Sequence, residues 1–356
     1  VVTAFGRVHE RPALLVRVED SDGAAGWREV WCNFPEGGME YRAALLQRIV
    51  GPRYLGRPAG SPAELLAAAP EAFRRIAVQC GEPGPFAAAL AGPDCALHDL
   101  AARRAGVPLA EWLGGGPRPL PACASGIDPT EPLRQIEAAR GRGFRAFELK
   151  IGFDTDGTNL SAVCADLQPG ERFFVDANQA FSPEEARERL PRIAGFGPGR
   201  IEEPIPADHD PEVFAALART ATVPLAAGEN VAGRAAFEEL IGLRAVGVVQ
   251  PDCGKWGGVG TCFGIAREAL AAGLLYCPHW PGGAVGLLHS ARLLAAAGGE
   301  GLLEIDCNPN PLREELVELP QLRDGVFALP AGPGIGADPV PDILHRYRSI
   351  FVELDA

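Results

Sequence analysis

Acidic residues recur at the ends of apolar, strand-like runs at near-constant intervals: Asp176 in FFVDANQ, Glu202 in RIEEP, Glu229 in AAGEN and Asp252 in VVQPD, spaced 26, 27 and 23 residues apart. An interval of that length holds one strand, one helix and two loops. The segments therefore read as successive units of a barrel whose strands all deliver their last residues to one end.

The rest of the chain supplies the missing units. Candidate strands fall at 120–124, 146–150, 172–176, 199–202, 224–228, 246–250, 273–277 and 302–306, with helical stretches such as SPEEARERLPRI and DPEVFAALART between them. Eight such strands are what an α/β chain of the (β/α)8 TIM type needs, and right-handed crossovers place their C-terminal ends on one face. A doubly wound open sheet would explain the alternation but normally takes fewer strands, and no GxGxxG follows a first strand. A barrel uses about 250 residues, so a chain of 356 has room for a second unit. Residues 5–34 read as strands around a turn at Ser21-Asp22-Gly23, and 40–112 as helices, among them MEYRAALLQRIV and PAELLAAAPEAFRRIA. The expected division is an α+β domain over 1–115, the barrel over 116–325, and a segment over 326–356 that returns to the first domain.

Composition narrows the partners. Forty-six acidic against 33 basic side chains give a net charge of -13, and no Lys/Arg run is long enough to follow a phosphate backbone, so nucleic acid is excluded as an expected partner. An acidic protein that takes an anion needs a local source of positive charge, which a divalent metal among carboxylates supplies. Nine cysteines are scattered with no CxxC, which points to reduced core thiols in a cytoplasmic protein. VVTAFGRVHERP lacks the basic-then-apolar run of a signal peptide, and no long apolar stretch is free of breakers, so no membrane association is expected.

Asp176, Glu202 and Glu229 would end the third, fourth and fifth barrel strands. Acids there are poor barrel packing, because an unpaired buried carboxylate costs several kcal/mol and tends to protonate. Three oxygen donors on adjacent strands suit Mg2+, which keeps other positions for water or a chelating substrate. Glu203 should point the opposite way from Glu202, into a supporting contact. Asn178 either meets a ligand or caps the following helix. Lys150 closes AFELK, where a nearby cation would favour its neutral form and make it a base for a carbon acid. His279 in YCPHWPGG and Asp252 end neighbouring strands, so the carboxylate can hold one ring nitrogen and leave the other for proton exchange. Lys255 and Trp256 open the next helix, either at the site or facing solvent. Glu304 and Asp306 face the same way on the last strand, and one of them can be a neutral hydrogen-bond donor; a cap or salt bridge is the alternative.

In order along the chain, LKIG, VDANQ, EEP, GEN, QPDxxKxGG and the PH loop resemble the enolase superfamily, in its mandelate-racemase-like branch. The resemblance spans essentially the whole chain and implies an N-terminal α+β capping domain, a modified barrel and a homo-oligomer. It also implies Mg2+ on Asp176, Glu202 and Glu229, Lys150 as base, a His279–Asp252 dyad and Glu304 as the last acid. Members of that family abstract the proton α to a carboxylate and stabilise an enediolate on the metal. One position departs from the pattern: Glu148 stands where the branch usually has a lysine two residues before the base. Strand alternation turns Glu148 into the same site, as an anion or a hydrogen-bond partner of Lys150. Arg28 stands where many relatives have a glycine.

The expected ligand is a small carboxylate, with a sugar acid favoured because WCNFPEGGMEY, over 31–41, shows few large apolar groups for a lid over the barrel mouth. The expected reaction is dehydration of that acid. Racemisation or epimerisation, and cycloisomerisation, use the same apparatus. A non-catalytic carbohydrate-binding barrel is the alternative from another class.

Overall fold

A computed structural model of the chain describes residues 2–3, 6–7, 10–58, 61–66 and 69–355. Of the stretches read above, residues 5 and 8–9 of the strand region and 59–60 and 67–68 of the helical region lie outside the described residues. Short strands β1 (Val2–Thr3) and β2 (Gly6–Arg7) pair antiparallel, as do β3 (Leu14–Glu19) and β4 (Ala25–Val30). The β3–β4 turn closes because Asp20 accepts from the amides of Asp22 and Ala24, at 2.9 and 3.0 Å, while Gly23 takes a φ of 84°. The hairpin lies on the helix Pro83–Arg104 so closely that a Cβ on Gly26 would stand 2.1 Å from Ala96 O. Glycine is the residue that permits that approach.

Eight parallel strands follow: β5 (Leu120–Ile127), β6 (Ala146–Lys150), β7 (Arg172–Asp176), β8 (Ile201–Glu202), β9 (Leu225–Ala227), β10 (Val248–Val249), β11 (Leu275–Tyr276) and β12 (Leu303–Asp306). They hydrogen-bond in the order β11-β10-β9-β8-β7-β6-β5-β12. This is the α/β barrel architecture expected from the spacing, with one difference. Among the described residues no ladder joins β11 to β12. They meet instead where Leu302 N donates to Cys277 Sγ at 3.3 Å and where Gly301 presses on Tyr276 O, leaving no room for a Cβ. A last strand, β13 (Val326–Phe327), adds antiparallel to the start of β5.

Period-two alternation builds the barrel interior in layers. The lowest layer is apolar, made of Cys123, Ala146, Phe174, Ala226, Val248, Cys277 and Leu302. Two residues further along the same strands come Ser125, Glu148, Asp176, Gly228, Gln250, His279 and Glu304. The strand that adds nothing apolar to the lower layer carries Arg200 instead, its guanidinium 4.8 Å above the Phe174 ring, and two residues later Glu202. An apolar plug thus supports a polar layer at the mouth.

The C-terminal segment packs against the helix Pro83–Arg104. Asp99, fully buried in that helix, accepts from Trp27 N at 2.8 Å, Ile335 N at 2.7 Å and Arg103 Nε at 3.0 Å. One carboxylate therefore joins β4, the long helix and residues near 335. The nine cysteines are free. Among the described residues no helix is long and apolar enough to cross a membrane.

His289 gives the fold a pH dependence. It is fully buried, its Nδ1 3.0 Å from Val285 O and its Nε2 3.4 Å from Cys95 O. Burial and the Arg28 charge push its pKa from 6.5 down to about 3. The folded state resists the proton that the unfolded chain accepts, so this contribution to stability is present above pH 6.5 and is lost as pH falls towards 3, at about 1.4 kcal/mol per pH unit. Urea denaturation at pH 7 and pH 4.5 should show a smaller loss of stability for His289→Gln than for the wild type; equal losses would assign the acid sensitivity elsewhere.

Candidate active site

Strand register brings the acids together. Lys150 pairs in register with Asp176, and Asp176 with Glu202, so three charged residues lie in a row across β6, β7 and β8. Glu229 follows β9 after Gly228, whose missing Cβ would otherwise collide with the Gln250 backbone at 2.3 Å. A cleft at this mouth is lined by Lys150, Asn178, Glu229, His279, Glu304, Asp306, Ser125, Gly126 and Pro281 from the barrel, and by Arg11, Trp31, Asn33 and Phe34 from the N-terminal region.

Each acid is held by an internal partner. Lys150 Nζ donates to Asp176 Oδ2, and Asn178 donates to both oxygens of Asp176, through its backbone amide and its side chain, at 2.7 Å. Gln250 donates to Glu202 at 2.5 Å, and an Arg200 nitrogen lies 3.5 Å from the same oxygen. Lys255 stands 3.7 Å and His279 Nε2 3.3 Å from Glu229. Burial raises the Asp176 carboxyl; Lys150 opposes the rise, while Glu148 and Glu229 add to it. Glu202 is pushed up by burial, then by Glu148 and Asp176. Burial would raise Glu229 too, but His279, Lys255 and Lys150 bring it below the ordinary glutamate value.

His279 is buried at 5% exposure, with Nδ1 2.9 Å from Asp252 Oδ2. Asp252 is fixed in turn by the Gly254 amide at 2.7 Å. Burial works against an imidazolium, yet Glu229, Glu304 and Asp252 hold the pKa well above that of ordinary histidine. Burial likewise opposes the Lys150 charge, and Asp176, Glu148 and Glu202 raise its pKa. Burial raises Glu304, with His279 opposing and Glu148 adding to the rise. The Ser125 hydroxyl lies 2.7 Å from Glu304 Oε1, whereas Glu304 Oε2 and Asn178 Oδ1 are buried with no hydrogen-bond partner among the described residues.

The other residues singled out from sequence fall in several places. Glu148 is fully buried beneath the cleft, 2.7 Å from Ser125 Oγ, 2.5 Å from Arg200 and 3.9 Å from Lys150. Burial alone would raise its carboxyl, but Arg200 and Lys150 bring it below the usual glutamate value. Glu203 turns away from Glu202 and accepts twice from the Asn230 amide, at 3.0 and 2.8 Å; burial and Glu229 push its carboxyl up to about 8. Lys255 donates to Asn230 at 2.5 Å and lies 4.4 Å over the Trp31 ring, while Trp256 Nε1 donates to Glu229 O at 2.8 Å. Asp306 accepts from Arg11, Arg313 and Asn308. Arg28 does not line the cleft: it is fully buried, 4.5 Å over the Trp280 ring.

Arg200, Ser125, Gln250 and Arg11 were missed in the sequence. The first three are two-residue neighbours, along their own strands, of residues facing the barrel interior, so strand alternation alone could have found them. Arg11 precedes β3 and had no such signal. The expectation of few large apolar groups over the mouth is corrected: Trp31 and Phe34 both turn to the cleft, their ring centroids 6.1 Å apart. The glycines and polar residues of 31–41 outweighed them in composition, and composition does not reveal which side chains face inward.

The donor set suits a hard divalent cation in kind, being three carboxylates from adjacent strands, two of which, Asp176 and Glu202, are raised by burial and then by the neighbouring acids. Among the described residues, however, no three His, Cys, Asp or Glu side chains are arranged as a metal-holding group. Lysine, arginine, histidine and amide groups neutralise the acids in this arrangement.

Comparison with known proteins decides the lineage. Residues 1–114 match the mandelate racemase / muconate lactonizing enzyme N-terminal domain, and residues 132–343 the enolase C-terminal domain-like family. The chain belongs to the mandelate racemase/muconate lactonizing enzyme family of the enolase superfamily. D-galactarolactone cycloisomerase of Agrobacterium fabrum is 30% identical, over 97% of this chain and 94% of its own length. Arabinonate dehydratase of Saccharolobus solfataricus is 27% identical, over 96% of this chain and 91% of its own. The crystal structure of a mandelate racemase/muconate lactonizing enzyme from Bordetella bronchiseptica RB50 superposes with a TM-score of 0.90 at 44% identity, covering 95% of each chain.

Arg200 faces two buried carboxylates, so its removal has a defined cost. Arg200→Met should destabilise the metal-free protein by about 3–5 kcal/mol in urea denaturation, the usual cost of leaving a buried charge unpaired. Adding Glu148→Gln should recover part of the loss. A single-variant cost below about 1 kcal/mol, with no recovery, would mean that the pair is not the counter-charge of this layer.

Proposed function

We propose that this family member is a Mg2+-dependent sugar-acid dehydratase that removes the proton α to a carboxylate, with Asp176, Glu202 and Glu229 as the metal ligands. Mg2+ held there would supply positive charge against the developing enediolate. The observation that carries the reading is that Lys150, at the end of β6, and His279, beyond β11, line one cleft together with Glu304.

Lys150 is assigned the α-proton. It acts as a base only when released from Asp176, because the ion pair keeps its amine protonated. His279 is oriented through Nδ1 by Asp252 and carries a proton in its acidic surroundings, so it is suited to protonate a departing β-hydroxyl. Glu304, raised by burial, offers a neutral carboxyl whose Oε2 is free to meet a substrate oxygen. Asn178 Oδ1 offers an acceptor for a substrate hydroxyl. The domain division 1–115, 116–325 and 326–356 and a homo-oligomeric assembly belong to the same proposal.

Cycloisomerisation is the second reading, favoured by the 30% identity to a D-galactarolactone cycloisomerase across nearly the whole chain. The same base would act, with a ring oxygen leaving in place of hydroxide.

Incubation with aldonates, uronates, aldarates and their lactones in D2O with Mg2+, followed by mass spectrometry, separates the reactions. Loss of one water is expected, and Lys150→Met should slow it at least about 100-fold, as removal of a general base does. A lactone opened to an isomeric keto acid, one deuterium heavier because the enol takes its β-proton from D2O, would favour cycloisomerisation, and one deuterium gained at the α-carbon with the skeleton unchanged would favour epimerisation. No exchange with any acid would leave a binding barrel.

A further inference from the structure

The cleft has a second charged end that the proposed chemistry does not use. Arg11 reaches the mouth from the chain before β3, and Nη1 contacts both Asp306 Oδ2 and Pro281 O, the latter at 3.2 Å. Towards described residues, its Nε and Nη2 make no hydrogen bond. Asp306 cannot neutralise the whole of this end, because Arg313 also approaches Oδ2, at 3.4 Å, and Asn308 occupies Oδ1. Glu29, whose charge acts on Arg313, is turned to the amides of Gly283 and Gly286. Burial and the neighbouring Arg313 charge lower the Arg11 pKa to about 10, which leaves it a cation at neutral pH.

Of the three cations in the lining, Lys150 is tied to Asp176, and His279 to Asp252 and Glu229. Arg11 is the one outside the reacting group. Asp306 lies two residues beyond Glu304 on β12, which carries its end of the cleft about 7 Å further out along the strand. That separation is the length of a short polyhydroxy chain.

We infer that Arg11, positioned by Asp306, anchors a second carboxylate, so that the substrate is a dicarboxylic sugar acid, an aldarate or its monolactone, rather than an aldonate ending in a primary alcohol. A guanidinium presents a planar pair of donors to a carboxylate and makes a charge-assisted contact that an alcohol cannot match. The inference rests on the proposed function for which end of the substrate reacts, and not for the anchor itself.

Galactarate and galactonate, which differ only at the distal carbon, are a matched pair of probes. In the Mg2+-loaded wild type, kcat/KM and equilibrium binding should both favour galactarate by about 100-fold, the size expected of one charge-assisted anchor. Arg11→Met should reduce both preferences to near unity, and Arg11→Lys should retain an intermediate one, since the charge remains without the planar fork. Circular dichroism establishes that each variant is folded; should Arg11→Met not fold, the wild-type and Arg11→Lys ratios decide. A wild type that binds both acids equally, or an Arg11→Met protein that keeps the preference, overturns the anchor. Binding without turnover, with the preference lost in Arg11→Met, supports the anchor while sinking the proposed reaction.

Discussion

The mouth of this barrel concentrates negative charge where water is scarce. Glu148, Asp176, Glu202, Glu203 and Glu304 are each at most 4% exposed, and Glu229 lies beside them. Carboxylates this close cannot all stay ionised without counter-charge. Lys150, Arg200, Lys255 and His279 supply it, and the hydrogen bonds from Asn178, Gln250, Asn230 and Ser125 are organised around those pairs. Most of the polar side chains in the upper barrel are explained by this one requirement.

The same requirement gives Glu148 a physical meaning. A lysine at that position would face Lys150 and bring a second cation to the β6 end. With glutamate there, the cation sits on Arg200, one layer lower and out of reach of the cleft. Positive charge is thereby moved from the wall of the cleft to its floor. On the proposed reading a substrate carboxylate loses a direct partner on β6, and the cation at the cap side, Arg11, is the one left to meet it.

The barrel was legible because its units repeat. Spacing of the acids located β7 to β10, and alternation within AFELK and LLEID told which side chains enter the barrel. The partners were less legible: Arg200 lay within the strand expected over 199–202, two residues before Glu202, but attention to the acids left the inward-facing residue beneath them unread. Contacts between the N-terminal region and the barrel were the least legible. Trp31 and Arg11 are placed by tertiary packing, and their neighbours in sequence carry no trace of Glu229 or Asp306.

Those contacts do more than cover the cleft. Three residues in and just beyond β4 grip the two loops that carry the His279–Asp252 pair. Arg28 fills the space over Gly254 and Trp280, so that a Cβ on Gly254 would lie 2.1 Å from its Nη2. Trp31 N donates to Gly254 O at 3.1 Å, and Glu29 accepts from Gly283 and Gly286. The Arg28 nitrogens have no hydrogen-bond partner among the described residues, so stacking on Trp280 and the nearby Asp252 charge are what hold it. Gly254 in turn donates to Asp252. The path from cap to imidazole is therefore continuous: β4 fixes Gly254, Gly254 fixes Asp252, and Asp252 fixes the ring of His279. An N-terminal region attached this way sets the geometry of the proposed proton-transfer group as well as the shape of the site above it.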